Sequence, residues 1–448
     1  MLFNTLTYLL FLPIVFVLYW CARNARQQNI VLLIASMVFY GWWSVEHLIL
    51  MIATCLFNYT MLQCIQNYKH KRLWLTVTLL TNFSVLGVFK YYNFFAENFV
   101  EAMSLAGVEL DFPTINLILP VGISFYIFQL SGYAIDIFRS PRREELSIIN
   151  YFTFITFFPQ LVAGPIERGH DMMPQIRHQR HFNFDTAREG MKLILWGLVK
   201  KMLLADNCAS AADYIFANYT TASLPDLWLG ALFFTLQIYG DFSGYSDIAV
   251  GSARLLGINI HNNFNKPYFA RNIQDFWRRW HITLMTWFKD YVYIPLGGNR
   301  RGTLRKQCNI FTVFLLSGLW HGANWTFVCW GLYHALWFII PHKWLTFIIV
   351  MVGWVIFRSP DMAVASQYIE GMFSPSLWGP TTCSRMPLLI ILLFALAEWL
   401  SRKKEHPFNF KSTGWMSHQW VRMSIYLLIF LFVIFLGGKQ IQFIYFQF

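Results

Sequence analysis

Charge is what this sequence has least of. Asp, Glu, Lys and Arg together make up 13% of its 448 residues, about half of the roughly 25% usual in soluble domains. So few charges cannot cover a water-soluble surface when 56% of the residues are hydrophobic. A string of soluble domains is excluded, and disorder, a collagen-like rod and a coiled coil fail on the same composition. The seven cysteines are odd in number and scattered, with no C-x-x-C pair. That excludes a disulfide framework and a cysteine zinc site. No H-E-x-x-H pair of the zincin type occurs, so no metal is expected. No basic stretch precedes the first apolar run, 6–20, and no small-residue cleavage site follows it, which points to a retained span rather than a signal peptide.

What the sequence has in excess is aromatic: 44 Phe, 21 Tyr and 19 Trp, 19% in all, enough amphipathic rings to line two membrane interfaces. Apolar runs lie near 6–20, 30–43, 47–64, 73–89, 115–138, 190–205, 227–250, 309–341, 344–357, 386–400 and 420–438. Several are shorter than the ~20 residues an upright span needs. The pattern predicts an all-α polytopic membrane protein, one membrane domain over 1–448, with interfacial and re-entrant segments.

The net charge of +12 sorts by loop. Arg23 and Arg26, then Lys69, Lys71 and Arg72, then the arginines of 139–188 and the basic stretch 254–306 alternate with 91–114 and 206–226, which have no Lys or Arg. By the positive-inside rule the basic loops are cytoplasmic and the N-terminus faces out. The positive charge therefore orients loops and calls for no nucleic acid. Lys306 and Lys343 both fall inside, so 309–341 must enter and return as a hairpin. Residues 148–168, broken by Pro159 and Pro165 between cytoplasmic charges, read as re-entrant. Residues 271–298 read either as a basic amphipathic helix at the inner interface or as a segment that dips inward and delivers His281 to a cavity.

The densest signal for chemistry is Ser317-Gly-Leu-Trp-His-Gly-Ala-Asn-Trp325 in the hairpin. Its ascending arm, counted from 309 to 320, climbs only ~18 Å, short of a ~30 Å hydrocarbon core. The turn with His321 should then lie at membrane depth, where polar groups by default mark a site. Imidazole is suited to proton transfer near neutral pH, so His321 is the first catalytic candidate, supported by Trp320 and Asn324. His281, in Phe276-Trp-Arg-Arg-Trp-His281, is the second. His334 reads as a packed helical histidine. Asp241 and Asp247 sit inside an apolar stretch, either capping a broken helix and pairing with arginines of the basic segment or lining a pathway. Gly-Asp-Phe-Ser-Gly around Ser243 is not a nucleophile elbow.

Six ordered blocks carry a resemblance: Leu119-Pro-Val-Gly-Ile-Ser-Phe-Tyr-Ile-Phe128, Phe158-Pro-Gln-Leu-Val-Ala-Gly-Pro165, Asp241-Phe-Ser-Gly-Tyr-Ser-Asp247, Phe276-Trp-Arg-Arg-Trp-His-Ile-Thr283, Tyr293-Ile-Pro-Leu-Gly-Gly-Asn-Arg300 and Gly318-Leu-Trp-His-Gly-Ala-Asn324. The terminal Phe443–Phe448 adds to them. Over essentially its whole length the chain resembles the membrane-bound O-acyltransferase family, in its alginate O-acetyltransferase-like branch. The resemblance implies a helical bundle around a central funnel or tunnel, with His321 at its constriction and His281 as the second histidine. It implies acetyl-CoA as a cytoplasmic acyl-donor substrate rather than a bound cofactor. It also implies a polysaccharide acceptor outside, in alginate or peptidoglycan O-acetylation, and a separate periplasmic acetyltransferase partner. Arg278, Arg279, Arg300 and Arg301 are placed to attract CoA phosphates. His321 would deprotonate an acceptor hydroxyl or briefly carry the acyl group. The competing readings are a teichoic acid D-alanyl transferase and a non-enzymatic transporter or flippase, though no repeated halves of the kind many transporters have are visible.

Overall fold

In hydrocarbon every backbone N–H and C=O must find its partner within the chain, and helices achieve this segment by segment. The computed structural model describes residues 1–448 apart from 116, 341–344, 411–413 and 445–448. The described residues form helices joined by turns and irregular connections, with no strand. Among them, three helices are long and apolar enough to cross a membrane: Val45–Asn67, Lys71–Leu105 and Gln419–Leu436. Leu6–Trp20, Thr346–Arg358 and Met386–Leu400 are apolar but shorter. These helices leave large apolar side chains uncovered, among them Leu427, Phe432 and Phe435, a surface that water penalises and lipid accepts. The protein is a membrane protein.

The helix starting at Lys71 outruns its apolar stretch. It passes through a π-helical turn at Gly87–Tyr91 and continues as Tyr92–Leu105. Nothing breaks it sooner, since the next glycine is Gly107 and the next proline Pro113. Glu97 and Glu101, expected in a loop, therefore lie on a helix. Lys343 and residues 445–448, both used in reading the sequence, lie outside the described residues.

The chain divides into two units. The first comprises Met1–Phe182, Leu256–Ile260 and Gly322–Asn324. Polar side chains hold its apolar helices together. Asn58 and Asn82 exchange amide hydrogen bonds of 2.7 and 3.0 Å, and Asn82 also donates to Ser131 Oγ at 3.1 Å. One asparagine pair and a serine thus join Val45–Asn67, Lys71–Leu86 and Ile123–Arg139, as interhelical glue does in membranes. Arg180 is buried and spends its guanidinium on Tyr19 Oη at 2.7 Å, Asn29 Oδ1 at 2.8 Å and the Ile176 carbonyl at 2.9 Å. The 148–168 stretch is broken: Ile148–Thr156, one turn at Phe158–Leu161 around Pro159, then irregular chain up to Gly169–Arg177. Residues 151–169 are buried throughout, the condition under which irregular backbone is tolerated at depth.

The second unit comprises Asn183–Leu255, His261–His321 and Trp325–Phe448. Its axis is Leu224–Leu255, 32 residues long and mostly buried. Phe184–Leu198, continued by a π-helical turn Val199–Ala205, lies against it. Glycines spaced by seven make that approach possible. A Cβ on Gly190 would stand 2.7 Å from the Gly251 carbonyl oxygen, and one on Gly197 would stand 2.6 Å from that of Gly244. The backbones touch where a side chain would hold them apart. Gly197→Val should therefore lower stability by about 1–3 kcal/mol through overpacking. Gly87→Ala, with open space around its Cβ, should be neutral or slightly stabilising. Unfolding of the purified variants in mixed micelles measures both.

Candidate active site

The hairpin is built on a second glycine crossing. Thr303–His321 and Trp325–Ile339 meet where a Cβ on Gly318 would stand 2.2 Å from the Phe327 carbonyl oxygen and one on Gly331 would stand 2.3 Å from that of Phe314. The ascending arm is longer than its apolar part. It starts at Thr303 and runs 19 residues, about 28 Å, because Thr303–Cys308 contains no helix breaker and continues the same helix. A helix of this length nearly matches a ~30 Å core, so His321 is not held at depth by a short arm, as its apolar run had suggested. His321 is buried all the same, by the protein's own side chains.

Three rings enclose the His321 imidazole, all edge to face: Trp320 at 4.9 Å between centroids, Trp330 at 5.1 Å and Phe357 at 5.2 Å. Trp320 also packs on His281, 5.6 Å away and inclined at 74°. One indole thus lies between the two histidines that the sequence singled out. Phe242, from the long helix, closes on His281 at 4.8 Å. His334 is fully buried between Trp277 at 5.1 Å and Trp330 at 5.0 Å.

His281 is not on a continuous amphipathic helix. The segment is two short helices, Ile273–Trp277 and Ile282–Phe288, and His281 stands at the break with φ 46° and ψ 52°. Left-handed backbone at a non-glycine residue is uncommon and collects at functional sites. The only other described instance is Lys266. His281 lies outside the apolar helices, and burial pushes its imidazole down to about 3, so at neutral pH the ring is uncharged. Its Nδ1 lies 3.2 Å from Asn263 Oδ1.

Asp241 and Asp247 find lysines, where arginines of the basic segment were expected. Lys201 Nζ sits 2.7 Å from Asp241 Oδ1 and 2.8 Å from Asp206 Oδ1, and Lys200 Nζ sits 2.8 Å from Asp247 Oδ2. Both lysines come from the π-helical turn 199–205, whose extra residue per turn lets adjacent side chains reach the long helix. Residues 437–444 complete the arrangement: the Ile444 N–H donates to Asp241 Oδ2 at 2.7 Å, and Lys201 donates to the Ile441 carbonyl at 3.1 Å. Tyr239, beneath Lys200, donates to the buried Glu398 at 2.6 Å. The two aspartates thus support the wall that carries Phe242.

Sequence reading missed Lys200, Lys201 and Glu398, although ionisable residues inside apolar runs are themselves a signal. It also missed Asn263, which no spacing marks. The four arginines separate. Arg279 is tied to Asp275 Oδ1 at 2.9 Å, while Arg278, Arg300 and Arg301 are exposed. Gly297, Gly298 and Gly302 all take positive φ, and Asn309 holds the Gly298 carbonyl at 2.9 Å, so the loop bearing Arg300 and Arg301 has a defined shape. Asn324 falls in the hairpin turn, half-buried, and belongs to the first unit. Among the described residues no group of three His, Cys, Asp or Glu is placed to hold a metal ion.

Residues 138–358 match the membrane-bound O-acyltransferase family. A probable alginate O-acetylase of Pseudomonas aeruginosa is 41% identical over 85% of this chain and 76% of its own length. A peptidoglycan O-acetyltransferase of Helicobacter pylori is 38% identical over 83% of this chain and 80% of its own. A teichoic acid D-alanyltransferase of Bacillus subtilis is 30% identical over 50% of this chain and 59% of its own.

Breaking a buried ion pair from one side commonly costs 3–5 kcal/mol. Lys201→Met, which leaves Asp206 and Asp241 facing each other without their cation, should lower stability by about that much. Adding Asp206→Asn and Asp241→Asn should recover most of it. Thermal unfolding of the three proteins in one detergent decides the point.

Proposed function

The chain belongs to the membrane-bound O-acyltransferase family, and we propose that it takes acetyl from acetyl-CoA at the cytoplasmic face of the bacterial inner membrane and passes it across for O-acetylation of a polysaccharide outside. That it is an O-acyltransferase follows from the family and from O-acetyltransferase relatives alike over most of the chain. The acceptor class, an alginate-like exopolysaccharide or peptidoglycan, is drawn from the same relatives. Their cover is far wider than that of the D-alanyltransferase, and this favours acetyl over D-alanyl. Through its spans the whole of 1–448 acts as a multi-pass acyltransferase domain.

The observation that carries the reading is Trp320 packed between two buried imidazoles. We assign His321 as general base. It takes the proton of an acceptor hydroxyl as the hydroxyl oxygen attacks the thioester carbonyl. The tetrahedral intermediate then expels CoA, which leaves with that proton as the free thiol. His281 assists, accepting or shuttling a proton. Apolar rings exclude water, which would otherwise intercept the acetyl group as acetate. With 299–306 on the cytoplasmic side, eighteen rises of helix carry His321 about 27 Å toward the opposite face. The acetyl group has then crossed most of the membrane before it is transferred; the hydroxyl that receives it is one carried by a separately encoded periplasmic acetyltransferase, which passes the acetyl on to the glycan. Arg278, Arg300 and Arg301 would draw in the CoA phosphates, while Arg279 holds its own loop.

His321→Ala should abolish glycan acetylation with protein level and membrane insertion unchanged, since losing a general base commonly costs 10²–10⁴-fold. His281→Ala should be milder, and His170→Ala, at an exposed histidine, should keep full activity. Mass spectrometry of the surface glycan reads all three. Near-normal CoA release by purified His321→Ala would remove the catalytic assignment.

Charge reversal at Arg300 and Arg301 together should raise KM for acetyl-CoA more than it lowers kcat, because a steering contact contributes mostly uniform binding. The effect should fade as salt rises. An unchanged KM at low ionic strength would leave these arginines a role in topology alone.

A further inference from the structure

We infer that Asn263 is a positioning residue that decides which nitrogen of His281 carries the proton. The inference rests on the reading of His281 as a proton-handling group in acyl transfer, but its structural part stands on geometry alone. His281 is the residue before the first turn of Ile282–Phe288, the place where a side chain normally accepts the free N–H groups of a helix start. Its own side chain makes no such cap bond. Asn263, on the connection after the long helix, supplies the missing acceptors. Its backbone carbonyl takes the Ile282 N–H at 2.9 Å, and its side-chain Oδ1 takes the Thr283 N–H at 3.1 Å and the Thr283 hydroxyl at 2.9 Å.

A backbone N–H can only donate, so the atom Asn263 turns toward Thr283 must be its carbonyl oxygen. The amide orientation is therefore dictated by its surroundings. His281 Nδ1 lies 3.2 Å from that same oxygen. Oxygen accepts, so Nδ1 bears the hydrogen, and in the neutral ring Nε2 is left with the lone pair. Rings pack on His281 from two further elements, Phe242 of Leu224–Leu255 and Trp320 of Thr303–His321, and neither is ionisable. The stretch is clamped at its other side by Asn265 N–H on the Arg279 carbonyl at 2.9 Å. The two left-handed non-glycine residues among the described residues, Lys266 and His281, flank this pairing. Strain is thus concentrated where one asparagine both starts a helix and aims an imidazole.

The test uses the full-length protein in lipid nanodiscs with ¹⁵N-labelled histidine. The His281 signal is identified by its loss in His281→Ala. A protonated Nδ1 and a bare Nε2 are expected in the wild type, and the reverse assignment overturns the proposal whatever the activity. Asn263→Asp keeps an acceptor for Thr283 and His281 but adds a negative charge beside the ring, which favours the imidazolium. His281 can relay a proton only while its ring is neutral, so the part of the kcat acid limb that is lost in His281→Ala should move up by about one pH unit or more. Asn263→Ala should lower kcat about tenfold or more through lost alignment, with KM for acetyl-CoA within about twofold. In a His281→Ala background it should lower kcat no further. An additional loss in that background, or an unmoved acid limb in Asn263→Asp, would make Asn263 a merely structural cap. If His281→Ala itself keeps the wild-type rate, the role given to His281 in acyl transfer fails, while the nitrogen assignment is still decided by the spectrum.

Discussion

A buried lysine in a low-dielectric interior costs several kcal/mol unless an opposite charge meets it, and the second unit is arranged around two of them. Lys200 and Lys201 are adjacent in sequence, so in a regular helix their side chains would diverge by about 100°. The π-helical turn at Val199–Ala205 changes that angle, and both reach carboxylates on the long helix, at Asp247 and Asp241. The glycine crossing brings the backbones close enough for this to happen. From that fixed pair the rest follows. Phe242, next to Asp241, is held against His281, and Trp320 then has a firm partner on one side and His321 on the other.

Much of this was legible in the sequence, because lipid imposes the simplest rules in protein structure. A low charge content and dense aromatics required an all-helical membrane protein, and apolar runs located most of the helices. The motif around His321 named a candidate site, and the fold packs its Trp320 against His281. What could not be read were consequences of backbone detail. Helix ends follow breakers rather than hydropathy, so Tyr92–Leu105 and Thr303–Cys308 continued helices whose apolar runs had ended. The second of these removed the argument that His321 is deep because its arm is short, leaving packing as the reason for its burial. The partners of Asp241 and Asp247 depended on a π-helical turn that no residue pattern announces. Asn263 acts through a connection of irregular shape, and its neighbours His261, Asn262 and Asn265 look equally eligible in sequence.

The two halves of the site differ in how they are held. His321 ends a regular helix and is confined by rings on three sides, so its position is set by packing. His281 sits on strained backbone at a break between two one-to-two-turn helices, and hydrogen bonds set its position. Packing tolerates small shifts in ring contacts, whereas hydrogen bonds tolerate little change in angle. A substitution near His321 and one near His281 should therefore fail in different ways, the first by loosening the enclosure and the second by misdirecting a ring.

Residues 437–444 thread into the core that Lys201 and Asp241 begin, and this gives the protein an order of assembly. Lys201 and the Ile441 carbonyl that it binds are 240 positions apart. At synthesis rates of about 5–20 residues per second, roughly 12–48 s separate their emergence from the ribosome. For most of that interval the lysine already has Asp206 and Asp241 as partners, but the long-helix wall lacks its last layer. The helices are therefore made before the backbone that caps Lys201 and Asp241 exists, and residues 437–444 add that cap last.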